Sequence, residues 1–226
     1  MQADPFQNPG MLFVEEGAQR WNQASGGTRS CADCHGADGS AMRGVAARYP
    51  RYDESLARPV SLGQWIVRHQ QSLQRGPEGS GGEPASSLAG PDDPRRLLLE
   101  VFVAHQSEGE PIAPPDDPRL EPFIDRGEQR WRQRLGQLDL SCAQCHDERA
   151  GRHLAGAVIP QGHPTGYPIY RLEWQGLGSL QRRLRNCLTG VRAEPFAADS
   201  TEGVELELYL MRRAVGMPIE TPAVRP

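Results

Sequence analysis

The sequence contains no lysine, because all 25 of its basic residues are arginine. This absence excludes any chemistry that depends on a lysine amine. An anion site must therefore use backbone amides or guanidinium groups, which suit planar or multi-oxygen anions. The formal net charge is −4 and the two signs are interspersed, so the chain has no basic stripe to bind nucleic acid.

Long apolar runs are also absent. The nearest approach to the roughly 20 residues of a membrane span is residues 97–104, which Glu100 interrupts, so we expect no membrane span. The start, Met1 to Phe6, lacks the charged and apolar regions of a signal peptide. Aromatic residues make up only 6% of the chain, against 20 prolines and 25 glycines. This composition predicts a loop-rich protein of one or two domains.

Two copies of a five-residue signature account for four of the five cysteines: Cys31-Ala-Asp-Cys34-His35 and Cys142-Ala-Gln-Cys145-His146. Two thiols at this spacing, followed at once by a histidine, suit haem c. The cysteines form thioethers to the porphyrin, and the imidazole reaches the iron. We therefore predict two covalently bound haem c groups. Since covalent haem attachment in bacteria implies export, we expect a mature periplasmic protein whose leader has been removed.

Zinc and disulfides are the alternatives for these cysteines. Two thiolates and a histidine could be three of four zinc ligands, but no second cysteine pair or spaced histidine pair follows. Disulfides would explain the pairs, yet they would leave both adjacent histidines without a role and Cys187 unpaired.

The chain contains two copies of one unit. Residues 13–23 recur as residues 123–133, each time with Phe, Gly and Trp at i, i+4 and i+8, shortly before a cysteine motif. This spacing predicts a helix whose glycine lets another helix approach closely. Each half also closes alike, because residues 99–103 and 206–210 have helical apolar spacing and are followed by Gly-x-Pro-Ile.

An opening helix, a haem motif and a closing helix that packs on the first resemble a class I cytochrome c domain. The resemblance implies a mainly α fold of two tandem class I cytochrome c-like domains with loop-rich connections. The proline-rich segment 113–122 predicts the linker. We therefore assign residues 1–115 to an N-terminal domain with haem 1 and residues 116–226 to a C-terminal domain with haem 2. The polar stretch 76–93 predicts a surface loop.

The repeat also predicts the sixth iron ligands. His69 follows Ser61-Leu62 at the same intervals at which Cys187 follows Ser179-Leu180. Both side chains are competent iron ligands, and a shared place in two similar domains indicates a shared role. We predict His35 and His69 as the ligands of haem 1, and His146 and Cys187 as the ligands of haem 2.

Other side chains stay open as ligands. Met217 lies in a Gly-Met-Pro sequence that is similar to the usual methionine-ligand motif of cytochromes c. Its counterpart in the first half, however, is Glu110. Ligation by Met217 would also leave Cys187 a free thiol. His163 is the further histidine that we expect nearest haem 2, and the remaining candidates are Met42, His105 and His153.

Cys187 lies in a segment, residues 179–196, that predicts a helix ending at Gly190. Arg183 comes one helical turn before the sulfur, on the same face. There its guanidinium can favour a thiolate and offer paired donors to a sulfonate-like anion. The alternative is an ordinary solvated basic helix.

At these residues the chain resembles the SoxA family, the catalytic subunit of the SoxAX cytochrome of bacterial thiosulfate oxidation. The resemblance covers nearly the whole chain and rests on residues 141–147, 183–196 and 216–222. It implies that Cys187 and Arg183 are the catalytic residues and that Cys187, like the matching cysteine of the family, could carry an extra sulfur as a persulfide. It also implies that thiosulfate is joined oxidatively to a cysteine of the SoxYZ carrier. The two electrons would then leave through haem to the monohaem partner SoxX.

The chain departs from the family at two points. Dihaem members often have a cysteine at haem 1, where this chain has His69. An active-site lysine of the family has no counterpart here, so its replacement would be one of four arginines: Arg185, Arg192, Arg212 or Arg213. Two other functions stay open, namely a thiosulfate dehydrogenase that forms tetrathionate and a dihaem electron carrier without catalysis.

Overall fold

The computed structural model describes residues 1–2, 4–24, 29–74, 90–154 and 156–226. Most of the predicted loop at 76–93 therefore lies outside the described residues. The described chain is mainly helical, as predicted, and its strands are two or three residues long. The helices are α1 (Gly10–Asn22), α2 (Ala32–His35), α3 (Leu62–Gln74), α4 (Pro94–His105), α5 (Glu121–Arg132), α6 (Cys142–His146), α7 (Leu180–Gly190) and α8 (Thr201–Arg213). The strands are β1 (Arg51–Asp53), β2 (Arg58–Val60), β3 (His153–Leu154), β4 (Ala157–Val158), β5 (Ile169–Arg171), β6 (Gly176–Gly178) and β7 (Val224–Arg225).

The opening and closing helices of each half pack against each other, as the repeat predicts. Helix α1 contacts α4, and α5 contacts α8. A Cβ atom at Gly17 would lie 2.2 Å from the carbonyl oxygen of Leu98, and one at Gly127 would lie 2.3 Å from that of Glu205. Only glycine permits so close an approach between two backbones. Across the described ranges, no helix combines the length and apolar content that crossing a bilayer requires.

A short antiparallel hairpin lies between the cysteine motif and the next long helix of each half. Strand β1 pairs with β2 before α3, and β5 pairs with β6 before α7. The hydroxyls of Ser61 and Ser179 each accept a hydrogen bond from the amide three residues later, at 3.2 and 3.0 Å. Because such caps fix where a helix begins, His69 and Cys187 occupy equivalent positions on α3 and α7.

Each hairpin packs against the opening helix of the other half. The ring of Phe13 on α1 lies 5.9 Å from that of Tyr170 on β5, and Tyr52 on β1 lies 6.4 Å from Phe123 on α5. Leu177 of β6 is buried in the hydrophobic core of the first half. The two halves therefore interlock through reciprocal contacts rather than meeting only at the linker.

The segments that end the two halves pair with each other. The Gly109 amide donates to the Ile219 carbonyl, and the Gly216 amide donates to the Ile112 carbonyl, both at 2.9 Å. The repeated Gly-x-Pro-Ile sequence thus joins the halves by main-chain hydrogen bonds, in addition to ending each closing helix.

The predicted linker, residues 113–122, ends two residues earlier in the structure. Asp117 caps a 3-10 turn at residues 118–120 by accepting a hydrogen bond from the Arg119 amide at 3.0 Å, and the side chain of Leu120 is buried. The next two residues, up to Pro122, already belong to α5. Proline is compatible with this first turn because the first helical amides have no intrahelical acceptor.

Candidate functional site

Both cysteine motifs form short helices that begin with the same reciprocal cap. Before α2, the Ser30 amide donates to Asp33 Oδ2 at 2.7 Å, and the Asp33 amide donates to Ser30 Oγ at 3.2 Å. At α6, Ser141 and Gln144 form the corresponding bonds at 2.8 and 3.2 Å. This capping box presents the two thiols and the following histidine on one turn in both halves.

The histidine of each motif lies against a tryptophan of the opening helix. Ring centroids are 5.7 Å apart for Trp21 and His35, and 5.6 Å apart for Trp131 and His146. Nδ1 of His146 also lies 2.7 Å from the carbonyl oxygen of Pro160. Donation from Nδ1 to that carbonyl fixes the ring and leaves Nε2 free as a metal ligand.

A largely apolar cavity of about 400 Å³ adjoins the first motif, and Cys31, His35 and His69 line it. This volume lies within the roughly 300–1,000 Å³ usual for cofactor sites. The rings of His35 and His69 face each other with centroids 5.6 Å apart. Burial and then the charge of His35 lower the pKa of His69, which favours the neutral imidazole that binds metals. These residues fit a haem attached at this motif.

Cys187 is half-buried on α7 and lies near the second motif. Burial raises the pKa of Cys142 to about 11, and the charge of the Cys187 thiol is the next cause of that rise. The structure therefore brings the fifth cysteine close to a cysteine that would carry a haem thioether. Helix α7 ends at Gly190, as predicted. The residues at this motif fit a haem with a histidine on one side and Cys187 as the other candidate ligand.

Tyr167 is a candidate functional residue that the sequence reasoning missed. Burial raises the pKa of Tyr167 to about 12, while the Arg183 charge opposes that rise and the Cys187 charge adds to it. Tyr167 thus lies near both predicted catalytic residues and keeps a protonated hydroxyl that can donate a hydrogen bond. A Tyr-Pro pair stands before both hairpins, with Tyr49 as the counterpart in the first half. That repeated pair is the sequence signal that could have identified it.

Arg183 is the arginine of α7 that remains available to meet an anion. Its neighbour Arg182 lies over the Trp174 ring at 4.2 Å, and Arg185 pairs with Asp92 at 2.9 Å. In the part of the chain that the structure describes, no carboxylate pairs with the guanidinium of Arg183. Its donors can therefore bind an incoming ligand without first breaking an ion pair.

The four arginines that could replace the family's lysine differ in their partners. Three of them already pair with carboxylates: Arg185 with Asp92 at 2.9 Å, Arg212 with Glu121 at 3.5 Å and Arg213 with Asp147 at 2.6 Å. Arg192 is exposed just after α7, and no ion pair involves it among the described residues. Of the four, Arg192 is therefore the arginine that forms no ion pair with a carboxylate among the described residues.

The two methionines considered as ligands lie in different surroundings. Met217 packs against a cluster between the halves that includes Ile112 and Ile219, whereas Cys142 belongs to another cluster. Met42 lines the cavity beside the first motif. The structure thus gives Met217 a packing role at the junction of the halves.

The three remaining candidate histidines lie in different surroundings. Burial, followed by the charge of Arg213, lowers the pKa of His163, which lies near the Asp147 that follows the second motif. Nδ1 of His105 lies 3.0 Å from the Thr221 carbonyl oxygen, and His153 is exposed on β3. Of the three, His163 is the one near the second motif.

The alternatives of disulfides and zinc receive no support from the geometry. None of the five cysteines is bonded to another cysteine. Within the described ranges, no three or more metal-binding side chains converge to hold an ion by themselves. Haem iron differs from zinc here, because the porphyrin supplies four of its ligands and the protein supplies only the axial ones.

The structure consists of two similar helical units. In each unit a capped Cys-x-x-Cys-His turn packs against a tryptophan of the opening helix, and this repeated arrangement is that of a tandem c-type cytochrome. The family model described as SoxA/TsdA, cytochrome c domain, matches residues 16–112 and 126–219. The chain belongs to this family, which confirms the resemblance seen in the sequence.

The relatives of the chain include several SoxA subunits of L-cysteine S-thiosulfotransferase. The chain is 36% identical over 226 residues to the one from Pseudaminobacter salicylatoxidans, covering 99% of this chain and 76% of the relative. It is 35% identical to the one from Rhodovulum sulfidophilum, covering 100% and 75%. The crystal structure of SoxXA from P. pantotrophus matches with a TM-score of 0.87 and 30% identity, covering 100% of this chain and 81% of that one.

Proposed function

We propose that this protein catalyses the L-cysteine S-thiosulfotransferase reaction of bacterial sulfur oxidation. Thiosulfate is transferred oxidatively to a cysteine of the SoxYZ carrier protein, and the electrons pass to SoxX, a monohaem cytochrome with which the chain forms a heterodimer. The proposal is supported by relatives of this name along nearly the whole chain and by the likeness to a SoxXA complex.

Each motif holds one covalent haem c in this proposal. Haem, when bound, supplies one-electron redox chemistry at its iron. The thioethers come from Cys31 and Cys34 in the first half and from Cys142 and Cys145 in the second. His35 and His69 would hold the iron of the first haem, and His146 and Cys187 would hold the iron of the second. Because covalent haem attachment in bacteria follows export, the reaction takes place in the periplasm.

The observation that carries the proposal is Cys187, at the position where the other half has His69, one helical turn after Arg183, which pairs with no carboxylate among the described residues. A thiolate is both a strong iron ligand and a sulfur nucleophile. The Cys187 thiolate and the thiosulfate dianion form a sulfur–sulfur bond, and this oxidation releases two electrons, which pass one at a time to the partner cytochrome. The carrier thiolate then attacks the sulfur bonded to Cys187, takes over the thiosulfonate group and restores the Cys187 thiolate.

The neighbouring side chains bind and orient the anion. The Arg183 guanidinium offers paired donors to two sulfonate oxygens, and its position one turn before Cys187 leaves the outer sulfur of thiosulfate facing the thiol. The protonated hydroxyl of Tyr167 donates to the same group. Arg192, exposed just after α7, adds positive charge at this end of the helix.

A reconstitution with purified SoxYZ, SoxX and thiosulfate tests this function. We expect thiosulfate-dependent haem reduction and a thiosulfonate adduct on the carrier cysteine, detected by intact-protein mass spectrometry. A carrier whose acceptor cysteine is replaced by serine is the matched control, and it should give no adduct.

Two other outcomes would contradict the proposal. Tetrathionate formed at full rate without the carrier would indicate a thiosulfate dehydrogenase, a reading that the joint SoxA/TsdA description of the family keeps open. Electron transfer to and from SoxX, with neither adduct nor tetrathionate, would indicate a dihaem electron carrier.

A further inference from the structure

The cavity beside the first motif contains two cationic side chains in otherwise apolar or neutral surroundings. Its lining includes Arg48 and Arg51, and apart from the two histidines these are its only charged groups among the described residues. The remaining lining residues are uncharged: Trp21, Cys31, Met42, Val45, Tyr49, Leu62, Trp65, Ile66, Gln70, Leu99, Val103 and Pro115. Two positive charges at an apolar cavity call for a ligand that is apolar in its body and carries two negative charges.

We propose that Arg48 and Arg51 bind the two propionate carboxylates of the haem in the first half. This inference rests on the proposed function only in that it requires haem at the first motif. A porphyrin matches the cavity because its ring is apolar and its two carboxylates lie on one edge. Guanidinium groups are well suited to carboxylates, since they offer paired donors in a planar fork.

The position of the two arginines agrees with this role. Both are exposed and lie three residues apart, Arg48 at the end of a 3-10 turn and Arg51 at the start of β1. They therefore stand where the cavity meets solvent, which is where a charged edge can stay hydrated while the ring is buried.

Neither arginine is committed to a carboxylate. In the chain as the structure describes it, no ion pair involves Arg48 or Arg51. The Arg51 guanidinium lies 4.9 Å from the centre of the Trp65 ring and 5.9 Å from that of Tyr49. These aromatic faces and a hydrogen bond to the Tyr49 hydroxyl fix its orientation, and the remaining donors of the guanidinium can meet an anion.

The second half lacks both charges. Counting from the repeated Tyr-Pro pairs, Gly166 stands where the first half has Arg48, and Ile169 stands where it has Arg51. The two haems would therefore have unlike electrostatic surroundings. Neutralising an arginine should change the first haem and leave the second unchanged, so the second haem is an internal reference.

The test is spectroelectrochemical titration of the holoprotein with Arg48→Gln, Arg51→Gln and the double substitution. An unneutralised propionate stabilises the oxidised, more positive iron, so each single change should lower the midpoint potential of haem 1. We expect the equilibrium constant for reduction of haem 1 to fall threefold to tenfold. A tenfold fall corresponds to a potential lower by about 59 mV for one electron. The double variant should lose more, and Arg→Lys should restore part of the loss, because it keeps the charge and loses the fork.

Arg43→Gln is the matched control. Arg43 is an exposed arginine of the same half that pairs with Glu110 at 2.8 Å and does not line the cavity. The Arg43→Gln substitution also removes one positive charge from the surface, and it should leave the midpoint potentials of both haems unchanged. Far-ultraviolet circular dichroism checks that each variant is folded.

Three outcomes would overturn the inference. The first is an unchanged haem 1 potential in the double variant, and the second is an equal shift of both haems, which would indicate a general change in structure. The third is a single haem per chain in pyridine haemochrome analysis of the wild type with the first motif empty. That result would refute the two-haem proposal as well, whereas the first two leave it intact.

Discussion

Glu207→Gln should stabilise the protein in alkaline solution and have little effect in acid. Glu207 on α8 and its repeat counterpart Glu100 on α4 line a small cavity of about 60 Å³ between the halves. Burial raises the pKa of Glu207 to about 8 and that of Glu100 to about 7. The charge of Glu100 adds to the rise at Glu207, and Arg96 opposes it at both carboxyls. Arg96 is itself paired with Asp199 at 2.5 Å.

The size of the effect follows from the difference between the folded and unfolded pKa. Folding raises the pKa of Glu207, so its contribution is fully present below about pH 4.5 and is lost as the pH rises through about 8. At about 1.4 kcal/mol for each pKa unit, the loss is on the order of 3 to 5 kcal/mol by pH 9. The amide of glutamine keeps a neutral group of the same shape in place and cannot ionise.

The assay is thermal unfolding followed by far-ultraviolet circular dichroism between pH 4.5 and pH 9. For a chain of this length we expect the melting temperature of Glu207→Gln to exceed that of the wild type by on the order of 10 °C at pH 9. The two melting temperatures should converge at pH 4.5. Glu16→Gln, on the exposed side of α1, is the control for loss of one carboxylate. Equal melting temperatures of Glu207→Gln and wild type at pH 9 would refute the raised pKa of this carboxyl.

Further predictions concern the haems, the anion site and the helix contact. Pyridine haemochrome analysis should give two haems per chain, and His69→Met should change the electron paramagnetic resonance signal of the bis-histidine haem alone; a silent His69→Met would contradict the ligand assignment. Arg183→Ala should slow adduct formation on the order of 10²-fold, and Arg183→Lys should recover part of the rate; an unchanged rate would remove Arg183 from the site. Gly127→Ala places a Cβ 2.3 Å from a carbonyl oxygen and should cost on the order of 1–3 kcal/mol of stability, whereas Gly190→Ala, with open space at its Cβ, should not.

The repeated parts of the fold could be predicted from the sequence. Gly17 and Gly127 indicated close helix contacts because glycine recurred at the same place on two helical faces, and both contacts are present. The helix that carries Cys187 also ends at Gly190, where its sequence signals placed the end. Helical periodicity and recurrence are local signals, so one sequence is enough to read them.

The contacts between the halves could not be predicted. The hairpins are three residues per strand, too short for an alternating pattern, and their packing on the opposite helix depends on residues more than 70 positions apart, such as Tyr52 and Phe123. Tyr167 was missed for the same reason, because its nearness to Cys187 arises only after the hairpin folds back. Glu100 was noticed only as a break in an apolar run, and its position opposite Glu207 is a tertiary property.

The most direct test of the central claim is the product formed by Cys187→Ala. Neither haem thioether involves this residue, so the variant should retain both haems, which denaturing-gel haem staining and intact mass can verify. Wild type and variant are then incubated with thiosulfate, SoxX and SoxYZ, and the carrier is weighed by mass spectrometry. We predict a thiosulfonate adduct with the wild type and none with Cys187→Ala. An adduct formed by Cys187→Ala at the wild-type rate would contradict the proposed reaction and leave this protein as an electron carrier.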